Sequence, residues 1–186
     1  FDWLGRGGEA ARWRPAAKAA RKFVSEQFLS GTGRFLIGTL PDGRSPNRAG
    51  SGLDSQVWPL LLDDAPAPWR RALAYVRHAH ASNGGFDFND DRDGIWWEGT
   101  AQVALVLAAT GDCAGARVLV AALGQQFAPG GLIWATSVPR LTTGLALAPD
   151  STTADFFYYR RPHLGATAWA VLAARAWNPF TGGPVR

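Results

Sequence analysis

Residues 88–112, FNDDRDGIWWEGTAQVALVLAATGD, decide the fold, because a polar and aromatic segment leads directly into an apolar one. Four carboxylates and two adjacent tryptophans fall within residues 88–98, whereas residues 99–111 carry no charged side chain. A helix that is apolar on every side is buried inside a protein. The pattern therefore predicts a buried helix over Glu98–Thr110, with a polar loop at its N-terminal end.

The composition is that of one folded domain. The chain has 186 residues, of which 47% are hydrophobic and 18% charged, so it can bury a sizeable core. No apolar run is long enough to cross a bilayer, and the net charge of +4 comes without a recognisable nucleic-acid motif. We therefore expect a single domain over residues 1–186, with neither a membrane nor a nucleic-acid partner.

Two residue types leave the origin of the chain open. Methionine is absent even at position 1, which is compatible with the chain being the C-terminal part of a longer protein. The one cysteine, Cys113, cannot form an internal disulfide, so cysteine usage does not indicate a cellular compartment.

Six predicted helical segments alternate in character along the chain. The first, third and fifth are amphipathic or intermediate, and each leads into a long glycine-rich loop. The second, fourth and sixth, which begin near Leu53, Glu98 and Leu164, are apolar nearly all round. The alternation predicts outer helices that lie at the surface and inner helices that are buried.

The segments also repeat. Residues 54–58 (DSQVW), 98–102 (EGTAQ) and 165–169 (GATAW) align, and the long loops begin alike with GRF at 33–35, GGF at 84–86 and GGL at 130–132. The loop motifs recur about every 50 residues, which is typical of helical arrays. We predict three degenerate copies of one helical hairpin, whose long loops all lie on one rim.

The aligned segments resemble those of the α/α toroids, which include many glycoside hydrolases, polysaccharide lyases and terpenoid cyclases. The resemblance is carried by residues 53–58 (LDSQVW), 84–102 (GGFDFNDDRDGIWWEGTAQ) and 163–180 (HLGATAWAVLAARAWNPF). It implies an all-α fold, either a toroid or a half-toroid of three helical hairpins with the long loops on one rim. A half-toroid is completed either by a second copy of the chain or by a missing N-terminal half, or it is an open arc that nothing completes.

In such toroids the active site lies where the inner helices begin, and Asp54 and Glu98 take equivalent positions there. Glycoside hydrolysis needs one carboxyl group to protonate the leaving oxygen and another to activate water or attack. We therefore predict a glycoside hydrolase in which Glu98 is the general acid or base and Asp54 its partner, with Asp91 and Asp93 in reserve. Each acid of the pair also has a structural explanation, as a helix cap for Asp54 and as a complement to the helix dipole for Glu98.

The predicted ligand is a glycan or oligosaccharide, and aromatic rings are expected to stack on its sugars. The candidate aromatic residues are Trp58, Trp96, Trp97, Trp134, Tyr158 and Tyr159. His163 is a candidate for ligand binding or proton transfer, and Arg160 for pairing with a substrate carboxylate or sulfate. Because an arginine also suits a uronic acid substrate, lyase chemistry stays open beside hydrolysis.

An acidic loop follows the second glycine-rich motif. Asp87, Asn89, Asp91 and Asp93 place side-chain oxygens at alternate positions before Gly94, an arrangement that can wrap a calcium ion. The loop lacks the final glutamate of an EF-hand, so an acidic turn that only caps the next helix is the alternative. The predicted chemistry requires no other cofactor.

Two further functions stay open. Asp90, Gly94 and Trp96 resemble the repeat motif of terpenoid cyclases, in which glutamine is usual where Asp90 stands. From a different class, the chain could be a non-catalytic binding or assembly module whose exposed inner face docks another polypeptide. The assembly hypothesis predicts a large apolar surface, whereas the enzyme hypothesis predicts that Asp54 and Glu98 face a solvent-filled cleft lined by Trp97 and Trp134.

Overall fold

The computed structural model describes residues 6–148, 152–154 and 156–185, which form six α-helices and four two-stranded antiparallel sheets. The helices are α1 (Gly7–Glu26), α2 (Leu53–Val57), α3 (Arg71–Ala79), α4 (Trp97–Ala109), α5 (Cys113–Leu123) and α6 (Leu164–Ala174). The strands pair as β1 (Phe28–Leu29) with β2 (Arg34–Phe35), β3 (Ala81–Ser82) with β4 (Gly85–Phe86), β5 (Arg140–Thr142) with β6 (Phe157–Tyr159), and β7 (Trp177–Asn178) with β8 (Gly183–Pro184). Short 3₁₀ helices, Trp58–Leu61 and Ala67–Arg70, continue α2 and precede α3.

The prediction of an all-α toroid or half-toroid is wrong, because the chain is a mixed α/β protein with four small sheets. Three of these sheets are tight hairpins that follow α1, α3 and α6. Each strand has two or three residues, too few to display the alternation of apolar and polar side chains that predicts a strand. Residues predicted as glycine-rich loop therefore pair as strands. None of the helices in the described ranges is long and apolar enough to cross a membrane.

Helix α4 forms the centre of the core, as its composition predicts. Ten of its thirteen residues are buried, and it packs against α2, α5 and α6. Gly99 lies where α4 passes α2, and a Cβ atom there would lie 2.6 Å from the Leu53 side chain and closer still to the Trp96 ring. Glycine at this position therefore allows the two helices to pack closely.

The helix pairs α1 with α2, α3 with α4, and α5 with α6 form three repeats, and each inner helix bonds the hairpin that precedes it. In repeat 1 the Gln56 amide bonds both backbone groups of Phe35, each at 2.8 Å. In repeat 2 the Thr100 hydroxyl lies 3.0 Å from the Phe86 nitrogen and 3.4 Å from its carbonyl oxygen. These contacts satisfy buried backbone groups and tie each hairpin to its inner helix.

Repeat 3 makes the same contact one residue later than the motif alignment predicts. The Thr167 hydroxyl accepts a hydrogen bond from the Ile133 nitrogen at 2.9 Å, whereas the GGL motif ends at Leu132. The turn is longer here, since the bridge Phe127–Ile133 spans one residue more than the pair Ala81–Phe86. The aligned positions of the three inner helices therefore share one role despite the different turns.

A backbone contact links each repeat to the next. The nitrogen of Leu53, the first residue of α2, donates to the Phe88 carbonyl at 2.8 Å. The nitrogen of Trp97, the first residue of α4, likewise donates to the Ala135 carbonyl at 3.0 Å. Phe88 and Ala135 each lie two residues beyond the hairpin residue that bonds an inner helix. The loop of one repeat therefore holds the start of the preceding inner helix.

We expect Thr100→Val to lower the free energy of unfolding by about 1–3 kcal/mol, because valine keeps the side-chain shape but leaves the buried Phe86 nitrogen without its acceptor. Thr110→Val is the matched control, since the Thr110 hydroxyl bonds only carbonyl groups of its own helix. Urea unfolding followed by circular dichroism measures both variants. Equal losses of stability would contradict the anchoring role of Thr100.

Candidate active site

Asp54 and Glu98 lie at the end of the structure where the inner helices begin, which we call the rim. They are the second residues of α2 and α4, so they occupy equivalent positions of repeats 1 and 2. Asp54 does not cap α2, whose N-cap is Gly52, and its carboxylate accepts a hydrogen bond from the Ser55 nitrogen at 2.7 Å. Both acids are half-buried, and the Glu98 side chain is 16% exposed.

Repeat 3 has no side chain at the equivalent position, which is Gly165. A Cβ atom there would clash with Oε2 of Glu98 and would lie 3.0 Å from the His163 ring. The absent side chain therefore leaves the space that the Glu98 carboxylate occupies. All three repeats shape one site, two of them by an acid and the third by glycine.

The two acids have no counter-charge in the described part of the chain. No lysine or arginine there pairs with either of them. His163 Nδ1 lies 3.5 Å from Glu98, but it accepts a hydrogen bond from the Ala166 nitrogen at 3.1 Å and so carries no proton. Burial also lowers the pKa of His163, which keeps the ring neutral at pH 7.

Burial raises the pKa of both acids. For Asp54 burial outweighs the hydrogen bond from the Ser55 nitrogen, which acts in the opposite direction. For Glu98 burial is the largest cause, and the charge of Asp54 raises the pKa further. Glu98 therefore holds its proton at a higher pH than an exposed glutamate does.

Tyr158 completes the rim beside the acids. Burial raises its pKa to about 12, and the charges of Glu98 and Asp54 add to the effect. Its ring centroid lies 5.5 Å from that of Trp96 and 5.8 Å from that of His163, which it meets edge to face. Tyr158 therefore acts only as a neutral phenol at physiological pH.

Asp54 lines two cavities. One, of about 440 Å³, has a mixed lining, in which the polar residues besides Asp54 are Asn47, Ser51, Ser55, Asn89, Asp90 and Thr143. The other, of about 400 Å³, has a largely apolar lining that includes Phe23, Val24, Ile37, Trp58 and Phe180. Glu98 is not among the residues that line either cavity, so Asp54 is the member of the pair that faces this open space.

The adjacent tryptophans at the start of α4 are not available to a ligand. Trp96 is 2% exposed and Trp97 is 4% exposed, so we assign both to core packing instead of sugar binding. Trp58 is 37% exposed, and its ring stacks on Trp169 with centroids 5.9 Å apart. Of the three, Trp58 alone presents an aromatic surface to solvent.

The loop of repeat 3 carries the other predicted binding residues. The Arg160 guanidinium lies 4.6 Å from the centroid of the Trp134 ring, and that of Arg161 lies 5.7 Å from the centroid of Tyr159. These cation–π contacts occupy one face of each ring. Arg160 and Tyr159 are exposed, whereas Trp134 is half-buried and holds Arg160 in place.

A buried polar pair lies beneath the rim, and the sequence analysis missed it. The Ser51 hydroxyl lies 2.8 Å from Nε2 of His80, and Nδ1 of His80 lies 3.3 Å from the Asp87 carbonyl oxygen. Burial lowers the pKa of His80, so the ring is neutral: Nδ1–H donates to Asp87 and Nε2 accepts from Ser51. The pair ties the loop of repeat 1 to the acidic loop. No local motif signals it, because 29 residues separate its members.

The acidic loop brings Asp87, Asp91 and Asp93 together, with one carboxylate oxygen of each within 4.8 Å of the others. Asp87 is buried and the other two are exposed. Asn89 turns its amide onto Asp91, and the Thr142 nitrogen donates to Asp93 at 3.0 Å. Burial raises the pKa of Asp87 to about 7, and the charges of Asp93 and Asp91 add to the rise.

Comparison with known proteins identifies no family: no protein-family model, curated protein or solved structure matches this chain. The class is therefore defined by the fold and the site. Within its described residues, the chain is a mixed α/β protein of three repeats with an acidic rim. Asp54 and Glu98 form one acidic group of that rim, and the acidic loop forms the other.

The raised pKa of Glu98 predicts how stability depends on pH. A carboxyl group whose folded-state pKa is raised contributes stability below its ordinary pKa of about 4.5, and this contribution is lost as the pH rises through the folded-state value. We therefore expect Glu98→Gln to be more stable than the wild type at pH 7.5, with a difference that shrinks toward pH 4. Urea midpoints at several pH values measure it, and Glu26→Gln, which changes an exposed glutamate, is the control. A difference that is constant with pH would contradict the prediction.

Proposed function

We propose that this protein is a glycoside hydrolase that uses Asp54 and Glu98 as its carboxylate pair. The observation that carries the proposal is that two half-buried acids from equivalent positions of repeats 1 and 2 are electrostatically coupled at one rim. Burial raises the pKa of both acids. A carboxyl group with a raised pKa holds its proton at a higher pH than an exposed one does, which favours the role of general acid.

Glu98 suits the general acid, because the neighbouring charge of Asp54 adds to the effect of its burial. Its proton passes to the glycosidic oxygen while the bond between that oxygen and the anomeric carbon breaks. Asp54 faces the cavities and suits the second role. Its carboxylate either takes a proton from the water that attacks the anomeric carbon, or forms the new bond itself and is later released by water.

The cavities beside Asp54 are compatible with a sugar ligand. Volumes of about 440 and 400 Å³ fall within the range of roughly 300–1,000 Å³ that ligand sites occupy. The cavity of mixed lining offers hydroxyl and amide groups that can hydrogen-bond sugar hydroxyls. The apolar cavity offers the exposed ring of Trp58, on which a sugar can stack.

A panel of polysaccharides and a glycan array test the proposal. We expect the wild type to release reducing ends from at least one glycan that it binds. Glu98→Gln and Asp54→Asn should each lower kcat by about 10²–10⁴-fold, because each removes a proton-transfer or nucleophilic group, while binding to the array is retained. Glu26→Gln should keep full activity. Full activity in Glu98→Gln, or no binding to any glycan, would overturn the proposal.

A second proposal, for assembly, is favoured by an uncovered stripe on α6. Leu164, Ala168 and Val171 are exposed, the first by 74% and the last by 55%. The prediction that this helix is buried on every side is therefore wrong for the isolated chain. The equivalent residues of repeats 1 and 2 are all buried, and they are Leu53, Val57, Leu60, Trp97, Ala101 and Ala104.

The opposite edge of the chain is uncovered at the matching position. Phe88 and Ala135 are buried, and their carbonyls accept hydrogen bonds from the preceding inner helix. Ile37 is their equivalent in repeat 1, but it is only half-buried, and its carbonyl accepts no hydrogen bond among the described residues. Leu164 is the equivalent donor in repeat 3, and its nitrogen has no acceptor there either.

The exposed stripe on α6 and the edge at Ile37 are complementary. We therefore expect α6 of one copy to pack against the Ile37 edge of a second copy. The contact would repeat the one that joins repeat 1 to repeat 2 and repeat 2 to repeat 3. Such a head-to-tail contact uses two different surfaces, so it differs from a two-fold symmetric dimer. The apolar cavity beside Ile37 lies on the receiving edge.

Mixing two edge variants tests the assembly. Val171→Glu blocks the α6 edge, and Ile37→Glu blocks the other, so each variant alone should be monomeric in light scattering. An equimolar mixture should form dimers, because each variant retains the edge that its partner lacks. Val118→Glu, on the exposed face of α5, should behave like the wild type, whose mass should rise with concentration. A wild type that stays monomeric, or a mixture that does not dimerise, would contradict the head-to-tail contact.

A further inference from the structure

The acidic loop contains a buried carboxylate oxygen without a partner. Asp87 has no exposed surface, and its Oδ1 accepts a hydrogen bond from the Phe88 nitrogen at 2.6 Å. Its Oδ2 is buried and has no hydrogen-bond donor. A carboxylate oxygen that is removed from water without a partner costs free energy, which a bound proton or a bound cation can offset.

Two further acids lie beside the Asp87 carboxylate. Asp91 and Asp93 each place a carboxylate oxygen within 4.8 Å of one from Asp87. None of the ion pairs among the described residues includes any of these three aspartates. Three carboxylates at this separation repel one another unless a cation lies between them. The unpartnered oxygen and the missing counter-charge therefore point to one ligand.

We propose that Asp87, Asp91 and Asp93 bind a calcium ion. The cluster offers oxygen ligands only, which excludes the nitrogen and sulfur ligands that zinc prefers. Calcium accepts six to eight oxygens in a flexible arrangement, and the exposure of Asp91 and Asp93 leaves room for water to complete the shell. Magnesium requires a stricter octahedron and keeps its own water, so a loop of this kind binds it less tightly.

The ion would brace two repeats against each other. The Thr142 hydroxyl donates to Asp91, and the Thr142 nitrogen donates to Asp93 at 3.0 Å. Thr142 ends β5, whose partner strand β6 carries Tyr158 of the rim. Calcium at the three aspartates would therefore fix the loop of repeat 2 against the strand pair of repeat 3. The site does not depend on the identity of the reaction at Asp54 and Glu98.

Isothermal titration of the chelator-treated protein with calcium chloride tests the site, and magnesium chloride is the comparison. We expect one saturable calcium site per chain, weaker binding of magnesium, and a higher melting temperature in calcium. Asp87→Asn and Asp91→Asn should each weaken calcium binding by about tenfold or more, because each removes a charged oxygen ligand. Asp90→Asn is the matched control, since Asp90 lies in the same loop but outside the cluster.

Unchanged binding in Asp90→Asn with loss in the other two variants supports the proposal. No saturable heat in the wild type up to millimolar calcium overturns it, whatever the variants do. Binding that survives in Asp87→Asn also overturns it, because the buried oxygen is then not a ligand. If Asp87→Asn does not fold, the exposed Asp91→Asn and the wild-type titration still decide the question.

Discussion

Hydrogen bonds from the inner helices to the hairpin backbone are the contacts on which the other features of this structure depend. Gln56 and Thr100 hold hairpins whose strands are too short to be stable alone, and Thr167 holds the bridge residue Ile133 in the same way. Because the bonds of Gln56 and Thr100 are buried, breaking either one leaves a backbone group without water or a partner. The hairpins in turn place the long loops, and the loops hold the starts of α2 and α4. Each repeat therefore relies on a polar contact inside an apolar core.

This construction explains how the rim acquires its chemistry. The second residue of each inner helix reaches the same region, so a single position in the repeat can carry Asp54, Glu98 or Gly165. Burial raises the pKa of the two acids, and the glycine makes room for one of them. Different residues at one repeated position are therefore enough to make the rim asymmetric, without any change in fold.

The same construction leaves an apolar stripe, a backbone edge and a group of carboxylates without a partner among the described residues. The stripe on α6 matches surfaces that are buried in repeats 1 and 2, and the Ile37 edge matches a contact that repeats 2 and 3 make. The acidic loop has carboxylates but no paired base. Assembly would cover the apolar area, and cation binding would neutralise the unpaired charge. The two proposals are therefore independent of each other.

The central helix, the equivalence of Asp54 and Glu98, and the acidic cluster could be predicted from the sequence, because local patterns carry this information. The apolar composition of residues 99–111 predicted the central helix, and the alignment of three segments predicted that Asp54 and Glu98 are equivalent. Similarly, alternate oxygens in the acidic loop indicated that Asp87, Asp91 and Asp93 belong together, and the structure brings them within 4.8 Å. These features depend on spacing along the chain, which the sequence states directly.

Only the tertiary structure determines which residues each surface contacts and which side chains are buried. The sequence does not show strands of two residues, because pairing at that length depends on a helix side chain far along the chain. It does not show that Trp96 and Trp97 are buried while Trp58 is exposed. Helices α4 and α6 have similar apolar compositions, yet α4 is covered and α6 is not. Composition determines what a helix can bury, whereas its neighbours determine what it does bury.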